Sequence, residues 1–434
     1  MLKSNIAWMK KNVPSDLKVW KGMIQDIDWS QVAAKTKLSL QRDKDRITAE
    51  FKEFAAMDTS AKIDWLMNGD RHLGYLYKKD AIAFARREWK GLKSVGYDFV
   101  GWLKIWGGML NMVMKDPMSI MLAVFEYHWF ASYLATPAVV DRSVFGRRGK
   151  LLQADFDMWV AITHWAEDLI ANLIMADAKI GGNQKINKRI IMFDEMTMAQ
   201  MMAGFPNLLG IPYQMIPVFM VSEMDQLTLI PYIDAIESYG LPSDTCPLPT
   251  AECGCAVKDE YPMCGQGFIA SSMPCDGSVM ATSFQDRRFS KFMPSYPLCM
   301  PVRYDDEDTT EMAAADMKDC IHWVEGLTGE TWNWDTYFAT MEKMNECTRL
   351  EMEKWEINKT HYPQLVGSSF ELFRKWNYEM DGGLFPEGLK TQRKICKTMM
   401  ETYEKKLPAY VGGYEKYRAL IWSCPAHFYA NFSN

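Results

Sequence analysis

Apolar residues in the first 185 positions recur at the three- and four-residue spacing of amphipathic helices. Tryptophans are frequent in these runs, and the spacing of the other residues indicates no catalytic motif. His164 stands beside Trp165 in an apolar helical run without a second histidine or cysteine at ligand spacing, so we interpret it as a core residue. The pattern predicts a mostly helical N-terminal region.

The pattern changes after residue 185, where short apolar runs of strand length alternate with helical stretches. The strand-like runs are residues 189–193, 211–218, 267–270 and 298–302. The helical stretches between them are residues 196–203 and 279–292. Because strands that alternate with helices pair in parallel, the predicted fold class is α/β, with parallel-sheet lobes and helical connections after the helical N-terminal region.

Helical spacing returns after residue 310 and continues to about residue 416. A first helix there is predicted to end near Gly326 or Gly329. A second, capped by Asp335, is predicted to bury the apolar residues Phe338, Met341, Met344, Met352 and Trp355. Residues 416–423 predict one more strand, with a Cys424-Pro425 turn after it.

Four regions follow from these patterns. They are a helical N-terminal region at 1–185, an α/β lobe with a cysteine-rich loop at 186–310, a helical connecting region at 311–416, and the start of a second α/β lobe at 417–434. A lone opening strand cannot bury its own sheet edge. We therefore expect that another chain completes the second lobe, or that this polypeptide is shorter than its relatives.

Residues 117–140 are apolar enough and long enough to suggest a membrane span. Glu126 and His128 lie near the middle of this segment, where a charge costs on the order of 2.5 kcal/mol or more in a bilayer. The favoured interpretation is a buried core helix, and the alternative is a single membrane attachment.

The net charge of the chain and the number of its cysteines exclude some classes of function and favour others. With 49 Lys and Arg against 55 Asp and Glu the net charge is −6, and no basic stripe with interleaved aromatics is present, so we expect no nucleic-acid partner. Ten cysteines in a long chain without a signal-peptide pattern indicate reduced thiols in the cytoplasm.

Half of those cysteines lie between Leu241 and Ser278, among prolines, glycines and acids with almost no helical periodicity. They are Cys246, Cys253, Cys255, Cys264 and Cys275. Irregular backbone lets several thiolates converge on soft iron or zinc, so the region predicts a metal or iron–sulfur loop. No Cys-x-x-Cys pair occurs in it; zinc and structurally inert thiols remain the alternatives to an iron–sulfur cluster.

Four local motifs, in this order, resemble the 2-hydroxyacyl-CoA dehydratase and benzoyl-CoA reductase family. They are residues 239–247 with Gly254 beyond them, residues 272–276, residues 301–307 with 327–329, and residues 417–425. The resemblance runs from about residue 185 to residue 434. It implies two α/β lobes that hold a four-iron four-sulfur cluster between them.

The resemblance assigns two cluster ligands, Cys246 and Cys275, and implies a third cysteine from the second lobe. Cys253, Cys255 and Cys264 are possible additional ligands. Family catalytic subunits have a serine in the turn after the first strand, whereas this chain has residues 192–197 without one. Thr197 is a candidate to replace that hydroxyl and Glu195 to act on protons; alternatively, Asp194 and Glu195 only cap the following helix.

The resemblance implies an iron–sulfur subunit of a dehydratase or reductase complex that relays low-potential electrons to a CoA thioester, as the relay rather than the catalytic subunit. Its expected partners are a paralogous subunit and an ATP-hydrolysing activator that is itself an iron–sulfur protein. Two alternatives stay open: a noncatalytic assembly or binding protein that keeps this fold, and a membrane-associated electron-transfer scaffold that uses residues 117–140.

Overall fold

The computed structural model describes the main part of the chain. The described residues are 54–67, 92–144, 149–193, 199–213, 215–224, 226–272, 293–299, 306–364 and 368–406, with single residues among 41–52, 277–283 and at 301. The predicted strand at 416–423 therefore lies outside the described residues, as does the start of the second lobe.

Helices dominate the described residues before the sheet. They are α1 (Thr59–Met67), α2 (Leu92–Lys115), α3 (Pro117–Glu126), α4 (Thr136–Val144), α5 (Gly149–Ala176) and the single turn α6 (Gln184–Asn187). The helical N-terminal region predicted from the sequence is present over these residues. His164 is not a core residue, because its Nδ1 lies 3.1 Å from Glu387 Oε2 in a partly exposed pair.

The apolar segment at 117–140 is not one helix. Tyr127 is extended and separates α3 from a 3-10 helix at His128–Ala135, which α4 follows directly. Tyr127, Trp129 and Phe130 are buried in the protein core. Among the described helices none is long and apolar enough to cross a membrane.

Four parallel strands form one sheet. They are β1 (Ile190–Phe193), β2 (Leu209–Pro212), β3 (Gly267–Ser271) and β4 (Ser295–Leu298), in the order β2-β1-β3-β4. All four residues of β1 are buried, as expected of a parallel strand covered on both faces. The α/β class with a parallel sheet is confirmed.

The remaining described helices follow β2 and β4 along the chain. They are α7 (Met220–Met224), α8 (Ile230–Glu237), α9 (Pro247–Val257), α10 (Glu307–Thr328), α11 (Trp334–Lys359), α12 (Ser368–Lys375) and α13 (Pro386–Glu404). Short 3-10 turns occur at Ala178–Ile180, Gln200–Gly204 and Gln226–Leu229, and π-helical turns at Met215–Phe219 and Trp376–Met380. The predicted end of α10 is confirmed at Gly329, where φ is 75°.

The two faces of the sheet enter different clusters of buried side chains. Ile190 and Met192 join a large core with helices of the N-terminal region, whereas Ile191 and Phe193 pack with Cys320 of α10. This alternation is the two-residue period of a strand. The N-terminal helices therefore cover one face of the sheet and α10 covers the other.

Three local predictions need correction. The second strand is Leu209–Pro212 and a π-helical turn starts at Met215, so the strand predicted at 211–218 is wrong beyond residue 212. The fourth strand is Ser295–Leu298, earlier than the predicted 298–302. In α11 the cap is Asn333 rather than Asp335, and Phe338, Met352 and Trp355 are exposed because the helix buries a face through Met344, Cys347 and Ile357.

Candidate functional site

The carboxyl ends of the four parallel strands meet at one edge of the sheet. The chain passes from β1 to β2 on one side, while β3 lies on the other side of β1. Loops that leave two adjacent strands in opposite directions open a crevice at that edge, and ligands of open α/β sheets bind in such crevices. The candidate site is the crevice beyond the ends of β1 and β3.

Three predicted site residues follow those two strand ends. Glu195 and Thr197 come two and four residues after Phe193, and Cys275 comes four residues after Ser271. Phe193 pairs with Ile269 in the ladder, so the loops start from neighbouring positions. Residues 194–198 and 273–276 lie outside the described residues, and the side-chain positions of Glu195, Thr197 and Cys275 are not part of the description.

Cys246 is the exposed member of the four candidate thiols that the structure describes. It stands at the N-cap of α9, directly before Pro247. A proline at the first helical position is pre-set for helical geometry and sacrifices no intrahelical hydrogen bond. The positive end of the helix dipole favours a negatively charged group here, which suits a thiolate ligand.

Cys253 and Cys255 do not lie in an irregular loop, because residues 247–257 form the helix α9. The helix is buried from Leu248 to Cys255, so its sequence lacks the polar face by which an amphipathic helix is recognised. Cys253 packs with Ile236 and Ala281, whereas Cys255 belongs to the large core, so the two thiols enter different clusters.

Burial keeps the inner thiols protonated. Desolvation, reinforced by the Glu252 charge, raises the pKa of Cys253 to about 12, and desolvation raises the pKa of Cys264 well above its ordinary value. Cys264 Sγ lies 3.8 Å from Met192 Sδ in apolar surroundings. Within the described residues, no group of three or more His, Cys, Asp or Glu side chains is placed to hold a metal ion. The structure therefore does not bring Cys253, Cys255 and Cys264 together with Cys246.

A buried polar network fastens the cysteine-rich segment to the N-terminal helices. Glu260 Oε2 accepts hydrogen bonds from Tyr232 Oη at 2.5 Å and from the His128 backbone N–H at 2.9 Å. The Trp129 indole N–H donates to the Glu260 carbonyl at 2.8 Å. Asp177 accepts from the Met263 N–H at 2.7 Å. Two of these contacts, those of His128 and Trp129 with Glu260, join residues more than a hundred positions apart. Local sequence patterns therefore do not indicate them.

A second loop, missed in the sequence analysis, packs beside the candidate site. Gly382 and Gly383 have φ values of 63° and 81°, in the region that favours glycine. A Cβ on Gly382 would lie 2.8 Å from the Ala199 carbonyl carbon and the Gln200 nitrogen. The Gln200 side chain donates to the Tyr378 carbonyl at 2.9 Å. This loop therefore supports the chain where it returns from the β1 loop; its Asp-Gly-Gly sequence is a turn signal.

Asp381 makes this loop sensitive to pH. Its carboxyl group accepts a hydrogen bond from the Phe385 N–H at 2.9 Å, yet burial dominates and raises its pKa from 3.8 to about 7. The folded protein therefore binds a proton at Asp381 that the unfolded chain has lost between about pH 4 and pH 7. Stability from this group is full below pH 4 and is lost as the pH rises through 7.

We expect Asp381→Asn to flatten the fall in stability between pH 4 and pH 7, which amounts to up to about 4 kcal/mol. Thermal unfolding at a series of pH values measures the slope. Asp306→Asn is the control, because the Thr309 hydrogen bonds lower the pKa of Asp306 and its titration falls below this window. An unchanged slope in Asp381→Asn would contradict the assignment.

Comparisons with known proteins bear on the part of the chain that contains these features. Residues 226–433 match the family model described as 2-hydroxyglutaryl-CoA dehydratase, D-component. The match includes Cys246, Cys275, β3, β4 and the Asp381 loop, and it starts after β1 and β2. A search of curated proteins found no match to the chain. Residues 226–433 are therefore similar to the 2-hydroxyacyl-CoA dehydratase family, the family that the four sequence motifs also resemble.

Proposed function

We propose that the chain is the iron–sulfur subunit of a 2-hydroxyacyl-CoA dehydratase-like complex, acting as the electron relay rather than the catalytic subunit. The family match supports a dehydratase component that works on CoA thioesters with a partner component. The observation that carries the finer proposal is the contrast between one exposed thiol at a helix N-terminus and three buried thiols in apolar packing.

Cys246 fits a cluster ligand in this chain. Its thiol is exposed, and the N-terminus of α9 favours the thiolate form that binds iron. Cys275 is the second proposed ligand, within reach of the carboxyl edge because a four-residue segment spans at most about 14 Å from Ser271. The remaining ligands come from outside the described residues or from the paired subunit. Cys253, Cys255 and Cys264 fit less well because their thiols are buried among apolar side chains.

A bound cluster would supply low-potential electrons to the thioester, with a potential set by hydrogen bonds to sulfur and by local charge. The chain itself would hold the cluster at the crevice and exclude water there. Glu195 and Thr197, after β1, are the groups that would move a proton and donate a hydrogen bond to the substrate if the chain served as the catalytic subunit instead. An activator that hydrolyses ATP and a paralogous subunit are the proposed partners, in the cytoplasm.

Anaerobic purification, of the chain alone and with its co-expressed paralogous subunit, tests this proposal. We expect iron and acid-labile sulfide at about four each per cluster, with a brown colour that air bleaches. The zinc content of the same samples shows whether zinc rather than iron occupies the site. A colourless, iron-free complex would instead support a noncatalytic assembly protein.

A further inference from the structure

Helix α11 exposes one line of large apolar side chains. They are Trp334, Phe338, Met352 and Trp355, with exposed fractions of 51%, 57%, 64% and 56%. Every large apolar side chain that α11 exposes belongs to this line. The Trp334 and Phe338 rings stack on each other at 5.7 Å, so the line starts with a packed aromatic surface. Exposed aromatic residues and methionine are typical of protein–protein interfaces.

This line belongs to a regular series of positions that we call the α11 seam. The seam residues are Trp334, Phe338, Met341, Asn345, Thr348, Met352 and Trp355. They advance by alternate steps of four and three residues, which is the 3.5-residue period of two helices packed along each other. Asn345 stands near the centre, and an asparagine in such a seam fixes the register of a helix pair. The seam therefore fits a second helix.

The charged residues beside the seam indicate which helix pairs with it. Glu342 and Arg349 are exposed on the same side, roughly 65–90° around the helix from the centre of the seam. In an antiparallel pair of α11 helices from two copies of this chain, Glu342 of each copy lies beside Arg349 of the other. Two ion pairs would form. In a parallel pair Arg349 would lie beside the buried Met344 instead, so charge favours the antiparallel arrangement.

The same antiparallel register matches the seam to itself. Phe338 of each copy meets Trp355 of the other, and Met341 meets Met352. At the centre Asn345 meets Thr348, so the polar seam residues of the two copies also face each other. A surface that is complementary to itself forms a closed pair with a two-fold axis, the commonest symmetry of soluble oligomers.

One interaction at the ends of the seam opposes this pairing. Asp335 of one copy would lie beside Glu356 of the other, and these like charges repel. Lys359 offsets the repulsion, because its Nζ lies 2.7 Å from Glu356 Oε1. Lys359 also stands at the level of Trp334 in the other copy, where an ammonium group packs favourably on an indole ring.

The area of the seam is close to what a stable pair needs. Large apolar side chains of this kind bury roughly 150–250 Å² each, so the four half-exposed ones offer about 450 Å² per chain. A pair would bury about 900 Å² from them. Asn345, Thr348 and Arg349 add to this area and bring it to the roughly 1,000 Å² expected of a biological interface.

We propose that two copies of this chain pair through the α11 seam, as antiparallel helices related by a two-fold axis. This proposal does not depend on the iron–sulfur proposal, since it rests on the surface of α11 alone. The pair would cover Trp334, Phe338, Met352 and Trp355 of both copies and would hold two Glu342–Arg349 ion pairs.

Sedimentation velocity of the full-length chain, from about 1 to 100 μM, tests this proposal. We expect a reversible monomer–dimer equilibrium with a dissociation constant of about 1–10 μM, since the interface is small. Glu342→Arg and Arg349→Glu should each raise this constant at least about tenfold, because like charges then face each other twice in the pair. The variant with both substitutions should pair about as tightly as the natural chain, because both ion pairs return with their charges exchanged.

Phe338→Ser should also weaken pairing at least about tenfold, since buried aromatic residues carry much of such an interface. Leu110→Ser is the matched control, because Leu110 is an apolar residue of α2 that is 62% exposed. It should leave the dimer unchanged, and circular dichroism at 222 nm shows that each variant is folded.

A chain that stays monomeric at about 100 μM would overturn the proposal. So would a dimer that Phe338→Ser leaves intact, or a double variant that pairs as weakly as the two single ones. A monomer that binds the co-expressed paralogous subunit, and loses it in Phe338→Ser, would assign the seam to that subunit and overturn pairing between copies.

Discussion

In the proposed iron–sulfur complex, Cys246→Ser is expected to lose most of the bound iron and to lower the activity of the complex by on the order of tenfold or more. Serine supplies a hydroxyl that binds iron poorly at neutral pH, whereas the cysteine offers a thiolate at the N-terminus of α9. Serine is also a favourable N-cap residue, so the helix should be at least as stable in the variant. Iron content per folded chain, measured anaerobically, gives the readout.

Cys299→Ser is the matched control for this prediction. Cys299 is also exposed, follows the end of β4, and its backbone N–H donates to Asp316 Oδ2 at 2.7 Å. That contact does not use the sulfur, so serine should leave both fold and iron content unchanged. Full iron content in Cys246→Ser, or equal loss in both variants, would contradict the ligand assignment of Cys246.

Gly254→Ala is expected to lower the free energy of unfolding by about 3 kcal/mol. A Cβ on Gly254 would overlap the carbonyl group of Tyr232, which is backbone and cannot rotate away. Helix α9 would have to move from α8, and Cys246 at its start would move with it. Thermal unfolding monitored by circular dichroism at 222 nm measures the loss.

Gly326→Ala is the control that separates the effect of the clash with the Tyr232 carbonyl from the effect of helix propensity. Gly326 lies within α10, and nothing stands within 4 Å of a Cβ added there. Alanine should therefore raise stability by about 0.5–1 kcal/mol through propensity alone. If Gly254→Ala were as stable as Gly326→Ala, the close approach of α8 and α9 would not be a constraint.

The sheet was predictable because β1 is a short, continuously apolar run, and such runs occur in parallel strands covered on both faces. Helix α9 escaped prediction for the opposite reason. It is built from Pro, Thr, Ala, Gly and Cys and is buried on nearly all sides, so it shows no apolar–polar alternation. Its sequence was read as irregular backbone for several metal ligands.

The candidate site residues were assigned from local sequence, and these assignments stay predictions. Cys246 and Cys275 were recognisable as candidates from their motifs, and Glu195 and Thr197 from their position after the first strand. The Asp381 loop and the Glu260 network were not, because their partners are Ala199 and Gln200 in one case and Tyr232 and Trp129 in the other. Only folding brings those partners together.

Because β1 lies in the middle of the sheet, the family-matched segment of this chain does not contain the whole sheet. The family-matched segment begins at residue 226, yet β3, inside it, is paired with β1, outside it. A fragment starting at residue 226 would lack β1 and β2, and with them the α5 helix that seals one side of the sheet. A unit expressed on its own therefore has to begin well upstream of residue 226, at or before α2.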